Sequence, residues 1–465
     1  MTAVVLGLDQ GTSSTRCVAV DAKLNERGGA AVPVRCVFPR PGWVEQDPEE
    51  LVDSARRVIA QAGDAVALGI ANQTETFVVW ERESGRPIHP AIVWQDRRTA
   101  PLVPAPEVRE RTGLELDATF PATKLAWVLD HVPGARAAAE AGELAYGDVA
   151  CWLLHRLAGV HVTDAGNAGR TLLCALGGTT WDEELLGRFG IPRALLPEIA
   201  DSDALAATYQ GIPIRAAAGD QQASLFGLRC WAPGEAKVTL GTGAFLLVNA
   251  GSERPDPPPG VLASTAWRRR KTTTYALEGF VPTAGAAVDW FASAGLLDAG
   301  PALDALLREG DDDGSVVCVP ALQGTGVPSW NADAAGTLLG LRLGTTRAQV
   351  ARAVVDGVLH QVVDALEAIG GLARLRLDGG LARSPWIVQR LADLAGVPVE
   401  RAARADSTAL GAATLAGLAA GVWETDDALP RIPPDLVAEP RFPAPERERR
   451  RERWTAARAV SERWS

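Results

Sequence analysis

VVLGLDQGTSSTRCVAVD, residues 4–21, is the stretch from which the fold is read. An apolar run, Val4–Leu8, leads into Asp9-Gln10-Gly11-Thr12-Ser13-Ser14-Thr15, and a second run, Arg16–Asp21, leaves with alternating character. The pattern predicts strand, tight turn, strand, with the polar chemistry at the tip. Gly11 lets the backbone turn sharply and approach a ligand closely. Thr12, Ser13, Ser14 and Thr15 set hydroxyls beside successive backbone N–H groups, a concavity suited to phosphate. Asp9, at the strand end, is placed to hold Mg²⁺ directly or through water. Taken alone, the stretch is read equally well as an ordinary Gly/Ser/Thr hairpin.

A near-copy lies downstream. VTLGTGAFLLVN, residues 238–249, is again strand, Gly-Thr-Gly turn, strand, and LRLDGGLARS, residues 375–384, adds a strand–Gly–Gly–helix turn. One phosphate-type hairpin in each half, followed by a third glycine turn, points to a duplicated domain closing on a nucleotide.

The 465 residues are enough for two or three domains, each with its own core. Hydrophobic content of 47% with 22% charged residues is that of a globular protein in water. No apolar run approaches the roughly 20 residues that span a bilayer. The start, MTAVVLGLDQ, has no basic leader, so neither membrane nor secretion is expected and the cytoplasm is the expected compartment. A net charge of −11 argues against nucleic acid as a partner. The six cysteines (17, 36, 151, 174, 230 and 318) form no CxxC pair and are expected as reduced, mostly buried thiols. The five histidines show no metal spacing. Lysine is rare, at Lys23, Lys124, Lys237 and Lys271 only, so basic charge is almost entirely arginine, which reads as a coding bias.

Along the chain, Pro48–Ala62 reads as an amphipathic helix opened by Asp47 and Pro48. Apolar strands end in polar clusters at Asn72-Gln73-Thr74-Glu75-Thr76 and Gln95-Asp96-Arg97-Arg98, where α/β proteins build sites, although capping and turn formation use the same residues. Residues 100–215 read as mainly helical, with a small strand or loop subdomain near 105–125 and a polar loop, DAGNAGRT, at 164–171. The halves should part near Gly227–Gly234. Thr346–Ile369 is the clearest helix, with Thr346 and Gln349 as a capping box and a core stripe through Val350, Val354, Val358, Val362 and Ile369. An acidic turn is expected at 311–314. Thr408–Gly421 is a helix so rich in Ala and Gly that its neighbours must come close. The charged tail after residue 445 reads as a solvated helix or a frayed end.

In this order and spacing the motifs resemble those of the FGGY carbohydrate kinases, and among them the glycerol kinases. The resemblance covers about residues 1–423 and rests on LDQGTSSTR (8–16), PGWVEQDP (41–48), NQTET (72–76), AIVWQDRRT (91–99), GDQQASLFG (219–227), GTGAF (241–245), ALEG (276–279) and DGGLARS (378–384). It implies an α/β, actin-like, ribonuclease-H-like fold of two lobes around a central cleft, each lobe built on a five-stranded mixed sheet. The lobes would span 1–227 (substrate and first phosphate hairpin) and 228–423 (nucleotide), with 424–465 as a charged tail. The implied activity is transfer of phosphate from ATP, with Mg²⁺, to a hydroxyl of glycerol or a closely related small polyol. The implied general base is Asp220, since phosphoryl transfer needs little beyond an in-line hydroxyl, a carboxylate for its proton and stabilised charge. Asp9 and Asp220 would hold Mg²⁺. Thr12, Ser13, Ser14 and Arg16 would face the phosphates from the first lobe and Thr242 from the second. Gly285 and Gly380 would line the adenosine site, with Asp289 and Ser384 where glycerol kinases carry Gln and Asn.

Glu75, Trp94, Asp220, Gln221 and Phe245 match the family's substrate pocket. Thr74 and Thr119 depart from it, standing where glycerol kinases carry an arginine and a tyrosine. Losing those donors opens space, so a kinase of erythritol, threitol, xylitol, xylulose or ribulose is the alternative. The chain also lacks the glycine-rich loop by which some bacterial members bind fructose 1,6-bisphosphate, running straight through Thr208-Tyr209-Gln210-Gly211-Ile212. There is no GxxxxGK[ST], which disfavours a Walker-type ATPase. Three readings of other kinds stay open: Asp220 as a plain helix cap, a nucleotide-binding sensor without catalysis, and a sugar-binding protein that does not use ATP. A homodimer or tetramer is compatible with the sequence.

Overall fold

A computed structural model describes residues 3–298, 300–310 and 312–464. The opening hairpin lies inside a sheet. Strand β1 (Val4–Gln10) pairs antiparallel with β2 (Ser14–Asp21), and β2 with β3 (Glu26–Pro33). On its other side β1 runs parallel to β4 (Ala67–Asn72), and β4 parallel to β5 (Ile212–Gly219). The second half repeats this arrangement with β6 (Glu235–Leu240), β7 (Ala244–Gly251), β8 (Thr272–Val281), β9 (Arg374–Asp378) and β10 (Val399–Arg401). The order β3-β2-β1-β4-β5 becomes β8-β7-β6-β9-β10 with every strand polarity retained. The fold is the expected duplicated α/β pair.

The sheets are wider than five strands. The first gains Ala207–Tyr209 at its edge and has six; the second gains Leu262–Arg269 and Leu436–Ala438 and has seven. Each addition pairs antiparallel with the edge strand it joins. The edge hairpin of the first sheet turns on Gln210 and Gly211 alone, both at positive φ, as a two-residue connection requires.

Several expectations are corrected. Within 105–125 the chain forms a helix, Pro106–Thr112, opened by proline and closed by a left-handed Gly113. The polar loop at 164–171 is a short helix, Ala165–Gly169, because Asp164 accepts the N–H groups of Gly166 and Asn167 and so caps it. Residue 311, which opens the expected acidic turn, lies outside the described residues, as does residue 465 of the tail. The cysteines are free, and all but Cys36 are buried. No helix among the described residues is long and apolar enough to cross a membrane.

Helix α1 (Pro48–Ala62) is capped by Asp47 and buries Leu51, Val52, Ala55, Val58 and Ile59 against the first sheet. Helix α2 (Asp220–Gly227) follows β5 directly. Helix α3 (Arg347–Ile369) has its capping box as read and buries Val354, Val358, Val362 and Ile369 of the stripe, whereas Val350, in the first turn, is half-buried. Helix α4 (Ser407–Ala419) belongs by sequence to the second half, yet it packs on β1, β4 and β5 of the first sheet and along α2. Glycine permits this. A Cβ on Gly7 would lie 1.8 Å from the Ala409 carbonyl oxygen, on Gly69 2.0 Å from that of Ala412, and on Gly411 1.8 Å from that of Ala223. Backbone therefore rests on backbone.

The tail is a helix, solvated on one face as expected and docked on the other. In helix α5 (Ala444–Ser461) Trp454 is fully buried, stacked on His360 of α3, and its Nε1 donates to Asp364. Arg458 donates to the same carboxylate, and Arg450 pairs with Asp312 and Glu446. Part of the charge that read as a wet surface is used against the second lobe, while Glu448, Arg449 and Glu452 stay exposed.

Gly411→Ala tests the backbone contact. Alanine is the better helix former by roughly 0.5–1 kcal/mol, but its methyl has no room here, so a loss of about 2–4 kcal/mol is expected in urea denaturation. Gly187→Ala, in the helix Glu183–Phe189 with open space around its Cβ, should be neutral or stabilising.

Candidate active site

The parallel strands of the first lobe finish in one row: Gln10 of β1 stands beside Asn72 of β4, and Asn72 beside Gly219 of β5. Asp9 and Asp220 thus arrive at the same edge. Burial, the negative charge of Asp220 and that of Asp406 outweigh Arg16 and push the Asp9 carboxyl up to about 7. Burial, with the charge of Glu75, outweighs Lys237 and the hydrogen bonds from Gln221, and raises Asp220 to about 6. Asp220 is not the cap of α2. Gly219 holds that position, and Asp220, the first helical residue, accepts the Gln221 backbone N–H at 2.7 Å. Among the described residues no ion pair reaches either carboxylate, and no group of three His, Cys, Asp or Glu could hold a metal. Two carboxylates without a direct ion-pair partner suit Mg²⁺, which takes one or two protein oxygens and completes its shell with water and phosphate.

The first turn is braced from behind. Side-chain amides of Gln10 and Gln73 donate to the Gly11 carbonyl (3.1 and 3.3 Å), and that of Gln46 to the Thr12 carbonyl (2.7 Å). Ser13 and Arg16 are exposed, Thr12 and Ser14 half-buried, and Arg16 sits across the ladder from Asp9. Thr15 is a correction: strand alternation turns it inward, where it is fully buried and bonded to Gln10 and Ser54, so it faces no phosphate. The second turn stacks on a helix start. Gly285 N–H donates to the Gly241 carbonyl at 2.9 Å, Ala284 and Ala286 donate to that of Thr242, and Thr242 itself is exposed. Asp289 lies exposed on the helix Gly285–Ser293. Gly380 has open space at its Cβ position. Ser384 caps the helix Pro385–Ala395 and donates to Asp304.

Between the turns lies a wall made by both lobes. Trp94 Nε1 donates to Thr12 Oγ1 at 2.9 Å, and its ring meets Phe245 edge-on at 6.3 Å. Thr74 is buried, its methyl packed where a Gly219 Cβ would fall. Thr119 turns its hydroxyl to Asp117 at 2.6 Å, while its carbonyl accepts from Lys124. Glu75, a non-glycine residue at φ +62°, is buried and takes Arg170 Nε at 2.6 Å. The same guanidinium reaches Glu278 on β8 of the second lobe. Burial opposes the Arg170 charge, but Glu278 and Glu75 more than compensate and raise its pKa.

Four residues here carry no role in the sequence reading: Arg170, Glu278, Lys124 and Lys237. Arg170 lies inside the segment read as a loop, and Glu278 inside a motif used only for the resemblance. Lys124 and Lys237 are two of only four lysines, and both are completely buried. Burial pushes Lys124 down to about 7, against the pull of Asp96, Glu75 and Asp117.

Comparison with known proteins places the chain in a family. Residues 4–227 match the N-terminal domain, and residues 236–420 the C-terminal domain, of the FGGY family of carbohydrate kinases. A glycerol kinase of Aromatoleum aromaticum is 45% identical over 97% of each chain, and one of Alkalilimnicola ehrlichii is 47% identical over 90% of each. The crystal structure of Plasmodium falciparum glycerol kinase with ADP superposes with a TM-score of 0.93 at 28% identity, covering 99% of this chain and 98% of that one.

The crowding of the two carboxylates has a measurable cost. A carboxyl with a raised folded-state pKa destabilises the fold only where it is ionised. For Asp9 the cost is complete above pH 7 and absent below its ordinary value of 3.8. At about 1.4 kcal/mol per unit as a ceiling, Asp9→Asn in the nucleotide-free protein should gain roughly 1–3 kcal/mol at pH 8. The gain in thermal denaturation should shrink as the pH falls through 7 towards 4; a gain independent of pH contradicts the assignment.

Proposed function

Because the chain belongs to the FGGY family of carbohydrate kinases, we propose that it transfers the terminal phosphoryl group of ATP to a hydroxyl of glycerol. The observation that carries this reading is Asp220, held with a raised pKa at the strand-end row beside Asp9 and within reach of the Glu75 charge. With its pKa near 6, Asp220 is ionised at neutral pH and still basic enough to take the proton of an attacking alcohol. Glu75, fixed by Arg170, accepts a hydrogen bond from a second hydroxyl. Gln221, Trp94 and Phe245 close the pocket over a short carbon chain, with Thr74 and Thr119 in its lining.

Thr12, Ser13, Ser14 and Arg16 from the first turn and Thr242 from the second receive the phosphates, and Gly285, Asp289, Gly380 and Ser384 border the adenosine. Asp9 and Asp220 would hold Mg²⁺, which when bound neutralises charge on the transferred group. Arg16 and the hydroxyls of the first turn orient that group, and lobe closure excludes water from it.

The alternative of a longer polyol or a keto-sugar is not favoured. The relatives at 42–47% identity are glycerol kinases, whereas a Brucella ovis xylulose kinase structure is only 26% identical. The two threonines need not enlarge the pocket: Thr74 is packed on Gly219, Thr119 is bonded to Asp117, and the Arg170 guanidinium stands beside Glu75.

An ADP-release assay over glycerol, erythritol, threitol, xylitol, ribulose and xylulose should give its highest kcat/KM with glycerol; stimulation by none of them overturns the reading. Asp220→Asn should lower turnover at least about 10²-fold while nucleotide binding persists. Fructose 1,6-bisphosphate should leave the rate unchanged, because the two-residue hairpin at Gln210 and Gly211 has no loop to receive it.

A further inference from the structure

Lys237 sits in the middle of β6, on the strand that leads to the second turn, and its side chain is completely buried. Its Nζ lies 2.6 Å from Gln221 Oε1 and 2.9 Å from Thr239 Oγ1, and Thr239 Oγ1 lies 2.5 Å from Asp378 Oδ1. We infer that Lys237 is a positioning residue: it fixes the Gln221 amide with its carbonyl turned away from the cleft, so that Gln221 meets Asp220 and the substrate as a hydrogen-bond donor.

The directions follow from what each group can do. An ammonium only donates and a carboxylate only accepts. The single proton of Thr239 goes to Asp378, so its oxygen accepts from Lys237. The Gln221 atom that faces Lys237 must then be the oxygen, whichever way an isolated amide might be assigned. A flipped amide would set N–H against the N–H of a completely buried ammonium, leaving that donor unpaired. The far end of the chain is held as well, since Asp378 also receives Ser407, the first residue of α4, and Ser224 of α2. The element bearing Asp220 and Gln221 is thereby locked to the strand bearing the second turn.

The consequence for substrate, which rests on the glycerol reading above, concerns polarity. A hydroxyl beside Gln221 is received through its oxygen, and its proton must go to an acceptor such as Glu75. The buried lysine thus determines how a hydroxyl is oriented before Asp220 takes the proton of its neighbour.

Two variants test this by steady-state kinetics of the full-length enzyme. Lys237→Met keeps the length and apolar stem of the side chain; it should raise the glycerol KM about tenfold and lower kcat, the scale of one lost hydrogen bond to a charged group, with the ATP KM within about twofold of wild type. In a Gln221→Leu background the same change should alter the glycerol KM less than about twofold, because Lys237 acts through Gln221. Multiplicative effects of the two changes, or an equal rise in both KM values, overturn the inference. Gln221→Glu is the second probe and does not depend on Lys237→Met folding. The new carboxylate keeps its contact with Lys237 but offers an acceptor where a donor is required, so the glycerol KM should rise at least about tenfold. An unchanged KM would mean that the amide oxygen faces the cleft. A wild-type enzyme inactive on glycerol refutes the proposed reaction, whereas additive effects in an active enzyme refute only the role of Lys237.

Discussion

Two carboxylates that repel each other, Asp9 and Asp220, are held at one edge of the first sheet with too little counter-charge to satisfy them. Left in water they would separate or be screened. Here β1 and β5 are tied through β4 in fixed register, and α2 starts the moment β5 ends, so neither side chain can retreat. The strain of raised pKa values is a standing electrostatic demand for positive charge. A nucleotide carrying the proposed Mg²⁺ would meet that demand.

That crowding persists only because the scaffold behind it is rigid. Helix α4 supplies much of the rigidity by resting its backbone directly on β1, β4 and α2, through Gly7, Gly69 and Gly411. Ser407 at its start bonds Asp378, which also holds Thr239, so the helix that braces the first sheet also touches the strands of the second. Arg170 does the same on the substrate side, joining Glu75 of one lobe to Glu278 of the other. The two lobes are thus stitched by polar contacts on both flanks, through Asp378 and through Arg170.

Much of this was legible in residues alone. The hairpins announced themselves because apolar alternation and a Gly-Thr bend are local signals, and the repeat of one in the other half made the duplication readable. Helices with a cap and a stripe, such as Pro48–Ala62 and Thr346 onward, were equally plain. Edge strands such as Leu436–Ala438 were not, since three residues carry no period. The arginine-rich tail misled because its partners, Asp312 and Asp364, are more than 80 residues away, and a charge run says nothing about what it meets. Asp9 and Asp220 come from motifs more than 200 residues apart, and the fold sets them at one sheet edge; Trp94 and Phe245, from two further motifs, meet as well. Arg170 and Lys237 were missed because their meaning lies in pairing: a buried cation is visible only once the carboxylates and amides around it are placed. Thr15 shows the converse error, for it shares a turn with the residues proposed to receive phosphate but strand alternation sends it inward.

The central claim is that two bends, one from each lobe, grip the same nucleotide. Hydrogen exchange of the backbone amides, with and without a nucleotide triphosphate analogue and glycerol, tests it most directly. The account predicts that amides at residues 11–14 and 241–243 gain protection together, at the same ligand concentration. Protection of one bend alone, or of neither, would contradict it.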